Sequence, residues 1–451
     1  MSKENTKQYD LTNGGILHKL LLVALPVIGM QLMQMVYNLS DMFWMGRLGT
    51  DSLAAAATCG MYLWLSMGFM VLGRIGAEIG VSQSIGSGDV ESARTYTINA
   101  FALAVFFGLF VGAAMLFGNA PLVGFFNIRE STVVWQAERY LAISGVGIPF
   151  MFMASVIAGA FTGAGNSKLI FYINAIGIVF NLILDPIAIF VLDMGITGAA
   201  VTNILGQFLG FVLSLWALYR HPARPFEKIK LLSRLQPRAM VRIFRWGLPV
   251  MLEGLLFPFL SMLITRVVAG FGATAIAAQR IGSQAESLTW LIAGGFCTAV
   301  TSFIGQNFGA GKEQRIRKGM RLSFIMLSIY GSMVTFVLYF LGEPIVRIFT
   351  SNQSVIEITV KYLQIAAFCQ LVCCYEPLFA GYFRGIGLTV PPSAVSILGN
   401  VLRTAAVFVL AYVGLDLMGV YWIITLGAIL RGGLLIFWYF ISTGRAKYKS
   451  A

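Results

Sequence analysis

Gln83-Ser-Ile-Gly-Ser-Gly88 closes one long apolar run, and Gln306-Asn-Phe-Gly-Ala-Gly311 closes another 223 residues later. The same offset pairs Pro26 with Pro249, Gly49 with Gly272 and Ala54-Ala55 with Ala277-Ala278. It slips by one residue for Gly159, Gly163 and Gly165, which match Gly381, Gly385 and Gly387. Chance composition scatters glycines but does not hold a register over so long a stretch. The chain is therefore read as two copies of one unit.

Working outward, each copy holds six apolar stretches long enough to span a bilayer, which takes about 20 residues. They fall at about 16–44, 54–83, 95–118, 132–158, 168–192 and 196–219, then at 243–269, 274–305, 318–342, 355–382, 389–413 and 418–441. Residues 1–219 are expected to form an N-terminal lobe, 220–242 a basic linker and 243–451 a C-terminal lobe. Six helices per unit is an even number, so the repeats have the same topology and relate by an axis along the membrane normal. Composition agrees: the 451 residues are 58% hydrophobic and 11% charged, with mean hydropathy +0.80. A soluble domain carries about 25% charged residues, so the fold class is an all-α integral membrane protein of twelve transmembrane helices.

The net charge of +13 does not indicate nucleic-acid binding, because the basic residues sit in short segments between apolar runs. One side collects Lys3, Lys7, Lys19, Arg94 and Lys168, the central run from Arg220 to Arg245 (with Lys228 and Arg234), Lys312 to Arg321, and Arg445, Lys447 and Lys449. The other side has little beyond Arg47, Arg129 and Arg347. The positive-inside rule then places both termini and the linker in the cytoplasm, in a multi-pass protein of the cytoplasmic membrane. No cleavable signal peptide is read at the start, since the first fifteen residues are polar. The five cysteines all lie in apolar runs and read as small buried residues, Cys369 and Cys373 included.

Asp41 and Asp185 are lone carboxylates inside apolar runs of the first half, where the matching positions of the second hold Ile264 and Val407. An acid in hydrocarbon costs about 2.5–3.5 kcal/mol on insertion scales, so its presence is a functional hypothesis by default. At about 1.5 Å per residue, Asp41, Tyr140, Asp185 and the set Thr202, Asn203 and Gln207 come from four spans to similar depth in the outer half. Asn181 and Asp185 are i and i+4 and share a face, while Gln34, Tyr37 and Asp41, with Asn38 beside them, make a polar stripe on the first span. Trp44 is read as an interfacial anchor, and Pro186 as a bend that frees the carbonyl of Leu182. Burial disfavours a carboxylate's charged form and a second acid adds to this, so such a pair holds a proton and loses it when water enters. Ionised, the same oxygens with Asn181 and Thr202 suit Na⁺, so the residues leave H⁺ and Na⁺ both open as the coupling ion, with no other cofactor.

Glu253, Glu286 and Glu376 fall within apolar runs of the second half and are candidates for substrate contact or structural pairing. Arg266 and Arg280 are read as members of an ion-paired network, and Glu78 as solvated or paired to a loop near the end of its span. Gly163-Ala-Gly-Asn-Ser-Lys168 fails the phosphate-loop spacing, and His18 and His221 both lie in polar flanks, which excludes nucleotide-driven transport and histidine chemistry in the membrane.

At this point the chain resembles the multidrug and toxic compound extrusion (MATE) transporters. The resemblance runs from about residue 14 to 440 and rests on Leu25-Pro-Val27, Asp41, Met45-Gly-Arg-Leu-Gly49, Gln83 to Gly88, Asn181-Leu-Ile-Leu-Asp-Pro186 and Gly305 to Gly311. It implies a V-shaped, two-lobed fold and export of small organic cations or drugs in exchange for H⁺ or Na⁺, by a protein expected to act as a monomer. It is nearest the DinF-like and archaeal branch, whose N-lobe cation site maps onto Asp41, Tyr140, Asn181, Asp185 and Thr202. Another branch places acids on the seventh and tenth helices, and Glu253 and Glu376 do not clearly align with them. Two rivals are weighed. A lipid-linked oligosaccharide flippase of the same superfamily needs a basic cavity; the arginines lie mainly in cytoplasmic loops, which argues against it, though Arg266, Arg280, Arg403 and Arg431 fall in apolar runs. A membrane-embedded enzyme needs a His- or Ser-based constellation, and none is read.

Overall fold

The computed structural model describes residues 10–227, 229–231, 233, 235–414 and 416–449. Of the basic residues read above, Lys3, Lys7, Lys228 and Arg234 lie outside these, as do the side chains of Arg445, Lys447 and Lys449. Twelve helices among the described residues are long and apolar enough to cross a membrane. In chain order they are α1 Ile16–Leu48, α2 Thr50–Gly86, α3 Val90–Phe117, α4 Ser131–Gly163, α5 Ser167–Pro186 and α6 Gly195–Arg220. The second set is α7 Pro237–Ala269, α8 Ala273–Gly309, α9 Glu313–Phe340, α10 Gln353–Gly385, α11 Val390–Tyr412 and α12 Leu417–Lys449. Two six-residue helices, Asn119–Gly124 and Gly342–Arg347, follow α3 and α9 at matching places in the repeat. The segment between α6 and α7 is shorter than hydropathy indicates, because α7 starts at Pro237, a proline at the first helical position where its missing N–H costs nothing.

Helix ends follow local chemistry. Asp89, Asn166 and Asn352 accept hydrogen bonds from backbone N–H groups in the first turns of α3, α5 and α10. Gly88 and Gly311, at matching positions, have φ of 79° and 68°, the left-handed region that lets α2 and α8 stop and turn. Repeated glycines also set the helix crossings. A Cβ on Gly159 or Gly163 of α4 would lie 2.6 Å from the carbonyl oxygens of Arg74 and Glu78 in α2. The equivalents on α10, Gly381 and Gly385, would meet the carbonyls of Cys297 and Thr301 in α8 at 2.7 and 2.9 Å. Both crossings are small-xxx-small contacts, in which missing side chains let backbones approach.

The halves join by exchange. α1 packs on α8 and α7 packs on α2, so the first helix of each half lies against the other half. Where α2 meets α8 the seam is reciprocal. The Gln83 side-chain amide donates to the Gly385 carbonyl at 2.8 Å, and the Gln306 amide donates to the Gly163 carbonyl at 2.9 Å. Gly86 sits directly against the Gln306 carbonyl and Gly309 against that of Gln83. The chain ahead of α1 completes the exchange. Leu11 is fully buried in the C-terminal core, its N–H donates to Gln306 Oε1 at 2.9 Å, and Lys312, Arg315 and Asn307 donate to the carbonyls of Leu11, Thr12 and Gly14. Asp10 holds the turn of this strap. Burial alone would raise its carboxyl, but donors on Thr12 and Asn13 and the Lys19 charge hold it below the usual aspartate range.

Candidate functional site

The first half brings polar side chains from α1, α4, α5 and α6 to one place. α5 supplies Asn181 and Asp185 one turn apart, and Asp185 is fully buried. Pro186 follows at once, and the helix passes into a π turn, Ile187–Val191, closed by Leu192 N–H donating to the Ile187 carbonyl. The irregularity predicted at Pro186 is thus a change of helical register just beyond the acid. Gly206 of α6 makes room for Asn181, whose side-chain amide lies where a Cβ would stand. Thr202 hydrogen-bonds Asp185 through its hydroxyl, which also lies 3.1 and 2.9 Å from the carbonyls of Gly198 and Ala199.

The neighbouring groups form a chain of amides and phenols. Tyr37 donates to the Asn203 carbonyl oxygen, Asn181 donates to that oxygen at 3.4 Å, and Asn203 donates to the Tyr140 hydroxyl at 3.4 Å. Asp41 lies one turn beyond Tyr37 on α1, within electrostatic reach of Asp185. Three buried oxygens here have no donor among the described residues: Asp41 Oδ1, Asp185 Oδ2 and Asn181 Oδ1. A buried acceptor left unpaired costs about 1–3 kcal/mol and more when charged. Orphaned acceptors gathered in one place are what a proton or a small hard cation completes.

Of the residues predicted for this site, Asp41, Tyr140, Asn181, Asp185, Thr202, Tyr37 and Asn203 come together. Gln34 and Asn38 are exposed and bonded to each other at 3.1 Å, one to two turns back along α1. Gln207 is half-buried, with its oxygen seated over Gly147. The Trp44 ring packs 5.8 Å from Phe190, and its indole N–H is buried without a partner among the described residues.

Glu253, Glu286 and Glu376 lie apart from that cluster, each held by its own half. Glu286 accepts from Tyr362 at 2.9 Å and Gln370 at 3.0 Å. Glu253 accepts from Ser393 at 2.9 Å and lies 3.7 Å from Arg384. Glu376 lies 3.3 Å from Arg431, which also donates to Asn400. Two expectations need correction. Glu78 is 1% exposed, neither solvated nor tied to a loop, because it faces Ser302 across the seam beneath Arg74 and Arg384. Arg266 and Arg280 are exposed and form no ion pair among the described residues. Sequence reading missed Arg384 and Asn400. The signal for Asn400 was available, since it lies on the Ser396–Thr404 face of α11, whose polar residues are all buried.

The profile of a family described as MatE matches residues 26–187 and again 249–409, one match in each half. The probable multidrug resistance protein YpnP of Bacillus subtilis is 30% identical over 366 residues, which is 80% of this chain and 81% of that protein. The probable multidrug resistance protein NorM of Thermotoga maritima is 26% identical over 433 residues, covering 94% and 92%. Among solved structures, an outward-facing multidrug resistance MATE family transporter of the MOP superfamily superposes with a TM-score of 0.90 at 20% identity, covering 98% of both chains.

Proposed function

Because the chain belongs to the MatE family, we propose that this transporter is a secondary multidrug antiporter of the DinF-like and archaeal branch. It exports small, organic, mainly cationic compounds in exchange for H⁺ or Na⁺. Its two six-helix lobes, residues 1–219 and 243–451, alternate access about the seam, with both termini and the linker in the cytoplasm. The observation that carries the coupling assignment is the set of donor-less oxygens on Asp41, Asp185 and Asn181.

The chemistry runs through Asp185 and Thr202. With Asp185 ionised, the Thr202 hydroxyl donates its single proton to the carboxylate. With Asp185 protonated, the carboxyl donates and the hydroxyl turns to the Ala199 carbonyl, already 2.9 Å away. Either state is bonded, so the site exchanges a proton without a large rearrangement. Asp41 supplies the second charge, and two carboxylates sharing one chamber favour uptake of a proton or cation between them. Loading from the outside then removes negative charge from the lobe that attracts a cationic substrate, which promotes its release.

Efflux of a cationic dye from proteoliposomes, measured separately under a pH and a sodium gradient, tests this. Asp185→Asn and Asp41→Asn should both lose gradient-driven efflux and bind a cationic dye in detergent more weakly, as the loaded site does. Wild-type efflux in both variants would overturn the coupling assignment, and the gradient that drives the wild-type protein identifies the ion.

A further inference from the structure

Two stretches of the second half share a pattern: Gly399-Asn-Val-Leu-Arg403 on α11 and Gly427-Ala-Ile-Leu-Arg431 on α12. Glycine and arginine one turn apart share a helix face, and the two faces interlock. The aliphatic stem of Arg431 lies over Gly399, in the space a Cβ would take. The stem of Arg403 lies over Gly427, where a Cβ would stand 2.9 Å from Cγ and Cδ. Each helix thus seats the other's arginine, and two like charges are built into neighbouring positions inside an apolar half.

Their partners differ. Arg431 is 2% exposed and saturated by Glu376 and Asn400. Arg403 makes no hydrogen bond and has no carboxylate within 4.0 Å among the described residues, and its Nε is buried without an acceptor. The acids that could answer it are engaged, Glu286 by Tyr362 and Gln370, and Glu376 by Arg431. A second donor nearby is also unused: the Tyr421 hydroxyl of α12, whose ring meets that of Tyr362 at 4.7 Å, is buried without a partner. A guanidinium inside a membrane protein is costly unless it pairs, and its planar fork matches a carboxylate or phosphate.

We propose that Arg403 is the anchor of an anion-binding site in the C-terminal half, which takes the carboxylate or phosphate of an otherwise apolar molecule. The site extends the substrate range of the antiporter beyond simple cations, to zwitterions and amphipathic anions. It is separate from the ion-coupling cluster of the first half.

The test is binding in detergent, without any gradient, of a rhodamine dye with a free carboxylate and of its methyl ester. Arg403→Gln should weaken the acid about tenfold or more and leave the ester within about twofold. Gly427→Ala keeps the charge but displaces the stem, and should also weaken the acid selectively, while Arg403→Lys keeps the charge without the fork and should retain only part of the preference for it. Equal changes for acid and ester, or none for the acid, overturn the proposal. Should Arg403→Gln fail to fold, the acid-to-ester ratios of Gly427→Ala and Arg403→Lys decide by the same criterion. Competition by inorganic phosphate supports an anion entering from water, and competition by phosphatidylglycerol alone supports a lipid headgroup. A dye that binds selectively yet moves under neither gradient would refute the antiporter reading and leave the anion site standing.

Discussion

The two halves share a backbone plan and hold opposite kinds of polar interior. In the first, Asp41 and Asp185 face amides, phenols and a hydroxyl, with no basic side chain bonded to either, and several acceptors are left over. In the second, Glu286 and Glu376 are each answered by donors, and the unpaired groups include Arg403 Nε, Arg384 Nε, the Tyr421 hydroxyl and the amide oxygen of Gln370. Around Asp41 and Asp185 the unpaired groups are acceptors, whereas near the acids of the second half unpaired guanidinium nitrogens occur on Arg384 and Arg403. On the proposed reading, the first half changes its net charge by taking a cation, whereas the second responds to an anion. Repetition supplied the scaffold, and a few side chains divided the work.

The sharpest break in that comparison is expected at Arg431. Arg431→Met leaves Glu376 buried without its cation and should cost about 3–5 kcal/mol in thermal or denaturant unfolding. The Glu376→Met/Arg431→Met double variant should recover most of it; a double variant no better than the single would mean the pair is not balanced as described. Next in size is coupling. Asp185→Asn should lower gradient-driven efflux about 100-fold, whereas Glu286→Gln should stay within about threefold, because Glu286 bonds to fixed donors rather than to an exchanging cation. Comparable losses in both would erase the division between the halves.

The seam provides a smaller, graded contrast. Gln306 uses both ends of its amide, toward Gly163 and Leu11, while Gln83 has one bond across the seam, to Gly385. Gln306→Leu should therefore cost about 2 kcal/mol and Gln83→Leu about 1 kcal/mol, at roughly 1 kcal/mol per net hydrogen bond. The smallest effect is expected at Asp10, on the strap that precedes α1. Its folded carboxyl titrates below the unfolded one, so its contribution is present above the usual aspartate range and fades as pH falls through the lowered value. Amide exchange at Leu11–Gly14, corrected for intrinsic rates, should speed up below about pH 4 in the native protein, and Asp10→Asn should remove that pH dependence.

How far the sequence could be read depended on the kind of constraint. The repeated glycines were legible because each serves a backbone requirement, a left-handed turn at Gly88 or a carbonyl contact at Gly163, that no other residue meets. Asp41 and Asp185 were legible because an acid in an apolar run stands out, and helical spacing brought Asn181, Thr202 and Tyr140 to them. Pairings across long separations were not. Arg431 meets Glu376 at a separation of 55 residues and Leu11 meets Gln306 at 295, and neither partner carries a local mark of the other. Glu78 misled for a related reason: it lies near a helix end, which in a lone helix means solvent, but that end is where the halves meet.

The seam has a further consequence, for interchange. Where α2 meets α8, several contacts run from glycine to main-chain carbonyl and from a glutamine amide to main-chain carbonyl, so part of what each half recognises in the other is generic. A joint of that kind is indifferent to the side chains deeper in each bundle. Halves taken from different members that keep the two glutamines and the facing glycines should mate, and an acidic interior and a basic one become cassettes that can be recombined.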